Sequence, residues 1–296
     1  MSLLFTYDTL IRTDQRKKER ERAIMLPDFG VKDKVIVVTG GGGAICGTMS
    51  RTFGEAGAKV AVLDLRLESA QSIADEINDK GGTAIGLACN VLDKESIEKA
   101  AEAVVKEWSR VDILINGAGG NKPQATTNKD VSFFDLPADA IQWVFNLNCL
   151  GAMLPSQVFG KVMVEHGEGC ILNISSMNAF RPLTRIPAYS AAKAGINNFT
   201  QWLAVDMAQN VSPKIRVNAI APGFFIGNQN RDLLIDKETG ELTPRGQSII
   251  NLTPMNRFGE FEELMGVTLF LISPASQFIT GVVIPVDGGF SSFSGV

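Results

Sequence analysis

The sequence predicts an α/β fold: one doubly wound parallel sheet of about seven strands, with helices on both faces. Seven short apolar runs recur along the chain, at residues 35–39, 59–64, 83–89, 111–115, 170–176, 215–220 and 281–286. They are mostly continuous rather than alternating, as strands buried on both faces are. Stretches with the apolar spacing of amphipathic helices separate them, and that alternation closes a parallel sheet through helical crossovers. The first run opens directly onto Gly40-Gly41-Gly42-Gly43.

Composition sets the outer bounds. The 296 residues are 45% apolar with a net charge of -4, which suits one large domain or two small ones, with ample core. Nothing resembles the basic surface of a nucleic-acid binder, so no partner of that class is expected. Cys46, Cys89, Cys149 and Cys170 are far apart with no Cys-x-x-Cys spacing, which reads as reduced thiols in a cytoplasmic protein. The single histidine, His166, lies in a polar His-Gly-Glu-Gly turn. A lone histidine leaves no clustered metal site, and no metal is expected. Residues 1–30 read as an N-terminal extension to a single domain spanning 31–296. The extension holds a mixed-charge stretch, Arg16-Lys17-Lys18-Glu19-Arg20-Glu21-Arg22, and a short apolar start, Leu3-Leu4-Phe5. That start is too brief for a signal peptide or a membrane span, so no membrane partner is expected.

Taken in order, the first strand at 35–39 leads through the glycine turn into a helix at 45–56. The second strand, at 59–64, ends on Asp64. Strand, glycine turn, helix and strand with a terminal acid form, in order and length, the dinucleotide-binding unit of a Rossmann-type fold. Glycines such as Gly40 and Gly43 let the backbone approach a pyrophosphate, and the helix N-terminus at Ile45 stabilises its charge. Asp64 suits both hydroxyls of the adenosine ribose and repels a 2′-phosphate. NAD is therefore favoured over NADP, tempered by Arg66 two residues on.

Helices at 68–80 and 94–108 flank the third strand, which ends in Cys89-Asn90-Val91. The fourth strand runs into Asn116-Gly117-Ala118-Gly119, and a polar loop at 120–138 follows at the sheet edge where ligand sites lie. The next helix carries Asn146-Leu147-Asn148-Cys149. The fifth strand delivers Ser176 to its C-terminal edge, and further on Tyr189 and Lys193 open an alanine-rich helix at i and i+4. That spacing puts phenol and ammonium on one face, one turn apart. The pair suits proton transfer to or from an alcohol, because a fixed cation favours the phenolate and moves it toward working pH. Ser176 would hold the reacting oxygen from the other side. The sixth strand ends in Ala221-Pro222-Gly223, and a long polar segment at 224–255 suits a mobile lid. A helix at 260–271 and the last strand lead into Asp287-Gly288-Gly289.

Together these motifs resemble the short-chain dehydrogenase/reductase family, over residues 34–290. The resemblance implies a catalytic set of Asn148, Ser176, Tyr189 and Lys193. Lys193 and Tyr189 would also meet the cofactor, and Asn148 would join the lysine to solvent through a water. It further implies that Asn90 and Val91 stand where an Asp-Val pair meets the adenine. Asn116, Ala118 and Gly119 would stabilise the sheet and line the cofactor floor, and Pro222 and Gly223 would border the nicotinamide. A homodimer or homotetramer built on the helices carrying Asn148 and Tyr189 is the implied assembly. Three departures stand out. Ala44 and Cys46 occupy the later glycine positions of the Thr-Gly-x-x-x-Gly-x-Gly turn, with Gly43 and Gly47 adjacent to take over their roles. Gly117 replaces the second asparagine of Asn-Asn-Ala-Gly, and Gly227 replaces a threonine after the Pro-Gly turn.

The segment between Ser176 and Tyr189 contains Asn178, Arg181 and Arg185. Arginine matches a carboxylate with a planar fork of donors. Asn121, Lys122, Asn230 and Arg231 add polar groups from neighbouring loops. This lining fits a small hydroxylated acid, a sugar acid, better than a steroid or an acyl chain.

Overall fold

The computed structural model describes residues 29–227 and 230–295. Apart from Phe29 and Gly30, the predicted extension lies outside the described residues. Seven strands, β1 (Val35–Thr39), β2 (Lys59–Asp64), β3 (Thr83–Ala88), β4 (Ile113–Asn116), β5 (Gly169–Ile174), β6 (Ile215–Pro222) and β7 (Val283–Val286), make one sheet. All pairs are parallel, in the order β3-β2-β1-β4-β5-β6-β7. The helices are α1 (Ala44–Glu55), α2 (Leu67–Asp79), α3 (Lys94–Trp108), α4 (Ala138–Phe145), α5 (Gly151–His166), α6 (Pro187–Asp206), α7 (Arg231–Leu234), α8 (Pro244–Asn251) and α9 (Met265–Ile272). Strand order reverses between β1 and β4, and the crevice at such a switch point is where open α/β sheets bind ligands.

Strand β1 shows why the predicted runs are continuous. Val35 and Val37 pack with Ile97, Val104 and Phe159 on one face of the sheet. Ile36 and Val38 pack with Met49, Phe53 and Leu271 on the other. Each such side chain, removed from water, contributes about 1.5–3 kcal/mol relative to an exposed one. Burial on both faces makes the sheet a rigid base for whatever its C-terminal edge presents.

Several boundaries differ from prediction for identifiable reasons. Strand β4 begins at Ile113 because the buried Asp112 carboxylate accepts the Val35 amide at 2.9 Å and pairs with Lys34 and Arg110. The predicted helix at 260–271 is a 3₁₀ turn, Phe261–Leu264, started by a Glu260–Glu263 capping box and continued by α9. The segment predicted as a mobile lid is ordered over its described part. It folds into α7 and α8 with an antiparallel bridge between Ile235 and Leu242, and it buries Leu234, Ile249 and Ile250. Those apolar residues are too few and too spaced to stand out in a polar stretch. Helices α5 and α6 expose Val164 and Trp202 around a hollow of about 830 Å³. Among the described residues no helix is long and apolar enough to cross a membrane, and no cluster of ligands could hold a metal ion.

Candidate active site

A cleft of about 410 Å³ opens at the switch point, walled by the glycine turn, Asp64 and Arg66, Ala118 and Gly119, and by Phe225, Gly227 and Asn230 on the far side. The chain turns at Gly40, whose φ of +65° is a left-handed conformation; a Cβ there would sit 2.9 Å from the backbone of Ala118. Helix α1 follows with Gly43 as its N-cap and no side-chain cap, which leaves its first amides as donors toward an anion. At the other end of the cleft the two oxygens of Asp64 accept the amides of Gly42 and Arg66, both at 3.1 Å. Each oxygen retains a further lone pair for a hydroxyl donor. Donors for a pyrophosphate and an acceptor for a ribose therefore share one cleft, and the residues present fit a dinucleotide. Of the predicted contacts, Gly40, Gly43, Ile45, Asp64, Ala118 and Gly119 line it.

Two of the departures from the family pattern touch each other. A Cβ on Gly117 would lie 2.0 Å from Cys46 Sγ and 2.8 Å from the Thr39 carbonyl. Cys46 thus fills the space that a side chain at 117 would need, so the cysteine and the glycine are two halves of one packing solution. Gly117→Ala is expected to destabilise the fold by about 1–3 kcal/mol through overpacking. Adding Cys46→Gly should recover part of that loss, and the Thr39 carbonyl keeps the recovery incomplete. Strict additivity of the two changes in urea denaturation would refute the coupling.

Other predicted cofactor contacts serve the frame around the cleft. Asn116 is buried and donates to Ser156 Oγ at 2.9 Å and Asn173 Oδ1 at 2.8 Å. Asn173 in turn donates to Thr200 at 2.9 Å. This chain ties β4 and β5 to α5 and α6. Asn90 Oδ1 accepts the Leu92 amide at 3.1 Å, so its acceptor already closes a local turn, and Val91 is buried. Pro222 ends β6, and the Gly223 amide donates to the Val286 carbonyl at 2.9 Å. Sequence reasoning missed Thr39, whose hydroxyl accepts the amides of Gly117 at 3.1 Å and Ala118 at 3.3 Å. Its signal was a hydroxyl residue closing an otherwise apolar strand.

The catalytic candidates gather at the ends of β5 and α6 and at the junction of α4 and α5. Ser175 turns inward to Asn197, at 2.5 Å, and Ser176 caps the short turn Met177–Ala179 by accepting the Asn178 amide at 3.3 Å. The Ser176 and Tyr189 hydroxyls are hydrogen-bonded. Lys193 is buried, with Nζ donating to the Ile174 carbonyl at 2.7 Å and standing 5.6 Å from the centre of the Tyr189 ring. Asn148 lies in a π turn, Asn146–Leu150, an irregularity common at functional sites. Its amide donates to the carbonyls of Val144 at 2.8 Å and Gly120 at 2.7 Å, and its Oδ1 accepts the Gly120 amide at 3.2 Å. A Cβ added to Gly119 would be 2.8 Å from Asn148 Oδ1 and 3.3 Å from Lys193 Nζ. Asn148 and Lys193 therefore stand directly behind Gly119, which lines the cleft.

One electrostatic expectation reverses in the unliganded protein. Burial pushes the Tyr189 phenol up from its ordinary value, with the Ser176 hydrogen bond opposing it. Burial also pushes the Lys193 ammonium down to about 8. Desolvation outweighs the attraction that the i, i+4 spacing suggested.

The predicted substrate residues separate. Asn178 is buried and its Oδ1 has no hydrogen-bond partner among the described residues, whereas Arg181 is exposed. Arg185 is held against Thr127, and Asn121 bonds Thr126 at 2.9 Å. Lys122 sits over the Trp143 ring. Asn230 lines the cleft on the side of the glycine turn: it accepts the Gly227 amide and donates to the Phe225 carbonyl, both at 2.8 Å. Arg231 begins α7 and is exposed.

Comparison with known proteins supports the geometry. The family model for short chain dehydrogenase matches residues 34–237. An oxidoreductase of Haemophilus influenzae, itself uncharacterised, is 50% identical over 280 residues, covering 91% of this chain and 97% of its own. An uncharacterised oxidoreductase of Bacillus subtilis, UxuB, is 47% identical over 272 residues, covering 89% of this chain and 96% of its own. A crystal structure with bound NAD, provisionally named a D-mannonate oxidoreductase of Haemophilus influenzae, superposes with a TM-score of 0.85 at 50% identity. The match covers 90% of this chain and 98% of that one.

Proposed function

The chain belongs to the short-chain dehydrogenase family, and from that premise we propose that it is an NAD-linked oxidoreductase interconverting D-mannonate and D-fructuronate. The observation that carries the reading is the grouping of Ser176, Tyr189 and Lys193, with Lys193 directly behind Gly119 in the wall of a cleft fitted to a dinucleotide. NAD, when bound, supplies the hydride acceptor. The glycine turn and the free amides of α1 hold its pyrophosphate, and Asp64 holds its adenosine ribose. Tyr189 takes the proton from the carbinol oxygen during oxidation and returns it during reduction. Ser176 donates to the same oxygen and orients the carbon that carries the hydrogen to be transferred. Lys193, fixed by the Ile174 carbonyl, binds the second ribose and keeps a cation near the phenol. Asn148 braces Gly120 and anchors the water that links the lysine to solvent.

Support for a sugar acid comes from the arginines between Ser176 and Tyr189 and from Asn178, whose buried carbonyl oxygen is an acceptor awaiting a donor such as a substrate hydroxyl. D-mannonate in particular rests on the relative with 50% identity. A gluconate 5-dehydrogenase or another polyol dehydrogenase would use the same groups with different loop contacts, and a non-enzymatic NAD sensor would need only the cleft. A panel of D-mannonate, D-gluconate and D-mannitol, each assayed with NAD and NADP, separates these. NADH should form fastest from D-mannonate with NAD. Faster turnover of D-gluconate would overturn the substrate assignment, and NAD binding without turnover on any of them would favour the sensor.

A further inference from the structure

Four successive residues at the end of β5, Asn173, Ile174, Ser175 and Ser176, each bond to helix α6. Asn173 Nδ2 donates to Thr200 Oγ1 at 2.9 Å, the Ile174 carbonyl accepts Lys193 Nζ at 2.7 Å, Ser175 Oγ donates to Asn197 Oδ1 at 2.5 Å, and the Ser176 and Tyr189 hydroxyls are hydrogen-bonded. On the helix the partners are Tyr189, Lys193, Asn197 and Thr200, at i, i+4, i+8 and i+11, a spacing that lays them along one face. Two of the four ties belong to the reacting groups, and the bond at Thr200 lies about three turns from Tyr189. The Ser175–Asn197 bond, one turn beyond Lys193, has no part in the chemistry described above.

Ser175 is buried directly before Ser176, and its amide donates to the Ile220 carbonyl at 2.8 Å, which fixes its backbone to β6. Its Oγ also lies 3.4 Å from the Lys193 carbonyl; a hydroxyl has one proton to give, and Asn197 is the nearer acceptor. Lys193 thus reaches the residue before Ser175, and Ser175 reaches back to the turn after Lys193, so strand and helix hold each other from both directions. Packing alone does not call for this, because α6 already buries Ile196, Leu203 and Ala204. An apolar contact tolerates a small slide of helix over strand, whereas a buried hydroxyl and its acceptor are satisfied in one geometry only. The reacting oxygen is held between Ser176 on the strand side and Tyr189 on the helix, so the spacing of those two elements is the spacing of the reacting groups.

We propose that the Ser175–Asn197 hydrogen bond is the brace that sets Tyr189 and Lys193 against Ser176, which makes Ser175 and Asn197 positioning residues; the inference rests on the oxidoreductase reading above and not on the choice of D-mannonate. Ser175→Ala and Asn197→Leu are each expected to lower kcat about tenfold on whichever of D-mannonate, D-gluconate and D-mannitol the wild type oxidises, since a misplacement of about 1 Å can cost up to about a hundredfold. KM for that substrate stays within about twofold, the split of an effect felt in the transition state. The double variant loses no more than the larger single loss, because both changes remove the same bond. Asn197→Asp keeps an acceptor for the Ser175 hydroxyl and recovers most of kcat. A residue that only supports the fold would lower the melting temperature and leave kcat per NAD-binding site where it was. Unchanged kcat per NAD-binding site in Asn197→Leu overturns the proposal, as do losses that multiply in the double variant or an Asn197→Asp as slow as Asn197→Leu. Should Ser175→Ala fail to fold, the two Asn197 variants decide by themselves. Should the wild type bind NAD and oxidise none of the three compounds, the enzyme reading fails and NAD affinity decides on the brace, because Lys193 meets the cofactor. A fall of about threefold or more in Asn197→Leu that Asn197→Asp recovers would then sustain it, and an unchanged affinity would overturn it.

Discussion

Tyr189→Phe is expected to lower kcat for alcohol oxidation by about a thousandfold, within the range of about 10²–10⁴ for a positioned general base. Phe keeps the ring and loses only the hydroxyl, and Asp64 and the glycine turn are unchanged, so NAD affinity measured by fluorescence titration should fall by no more than a few fold. The expectation follows from the local inventory. Tyr189 is hydrogen-bonded to Ser176, and no histidine competes for the role, because the only one, His166, is exposed and bonds the Ser109 carbonyl at 3.1 Å. Burial raises the phenol, so the protonated form prevails at neutral pH. Oxidation, which needs the phenolate, should speed up as pH rises above neutrality, and ketone reduction, which needs the phenol, should slow. Full turnover in the Phe variant with intact NAD binding would remove Tyr189 from the chemistry.

Lys193→Met is expected to abolish measurable turnover and yet to stabilise the fold at pH 7. The folded protein holds Lys193 at about 8, below its ordinary 10.5, because the ammonium is buried. Between those two values the unfolded chain keeps a proton that the folded one has released, so wild-type stability rises with pH across that window. Below about pH 8 the full cost of burying the charge is present, on the order of 3 kcal/mol at 1.36 kcal/mol per pH unit. Losing the bond to the Ile174 carbonyl offsets about 1 kcal/mol of the gain. A net stabilisation of about 2 kcal/mol at pH 7, shrinking toward pH 10, should appear in urea denaturation of variant against wild type. A variant less stable than wild type at pH 7 would show that Lys193 supports the fold rather than straining it. Active-site groups held at such a cost are a recurrent form of the trade between stability and activity.

Much of the frame is legible locally. The run Val35-Ile36-Val37-Val38 can only be a strand covered on both faces, and Asp64 at the end of the second strand already marks the ribose end of the cleft. Tyr189 and Lys193 share a helix, so their neighbourhood follows from their spacing alone. Asn230 was harder. Its side chain closes the loop around Gly227 on the nucleotide side, and nothing in an Asn-Gln-Asn-Arg stretch indicates which wall of a site it will face. Asn116 was expected both to stabilise the sheet and to line the cofactor floor, and the partners through which it braces the sheet, Ser156 and Asn173, lie far along the chain. The ordered fold of the segment predicted as a lid depends on burying Leu234, Ile249 and Ile250 against the rest of the molecule.

By itself the sequence determined the order of strands and helices, the glycine-lined cleft and the Ser-Tyr-Lys set, because apolar periodicity, turn chemistry and helical spacing act over a few residues. Only the tertiary structure decided that Cys46 and Gly117 share one space, that Asn116 meets Ser156 and Asn173, and that the Tyr189 phenol moves up rather than down. Those outcomes depend on which distant segments meet and on how much water their meeting removes, and neither quantity is written in any single stretch of the chain.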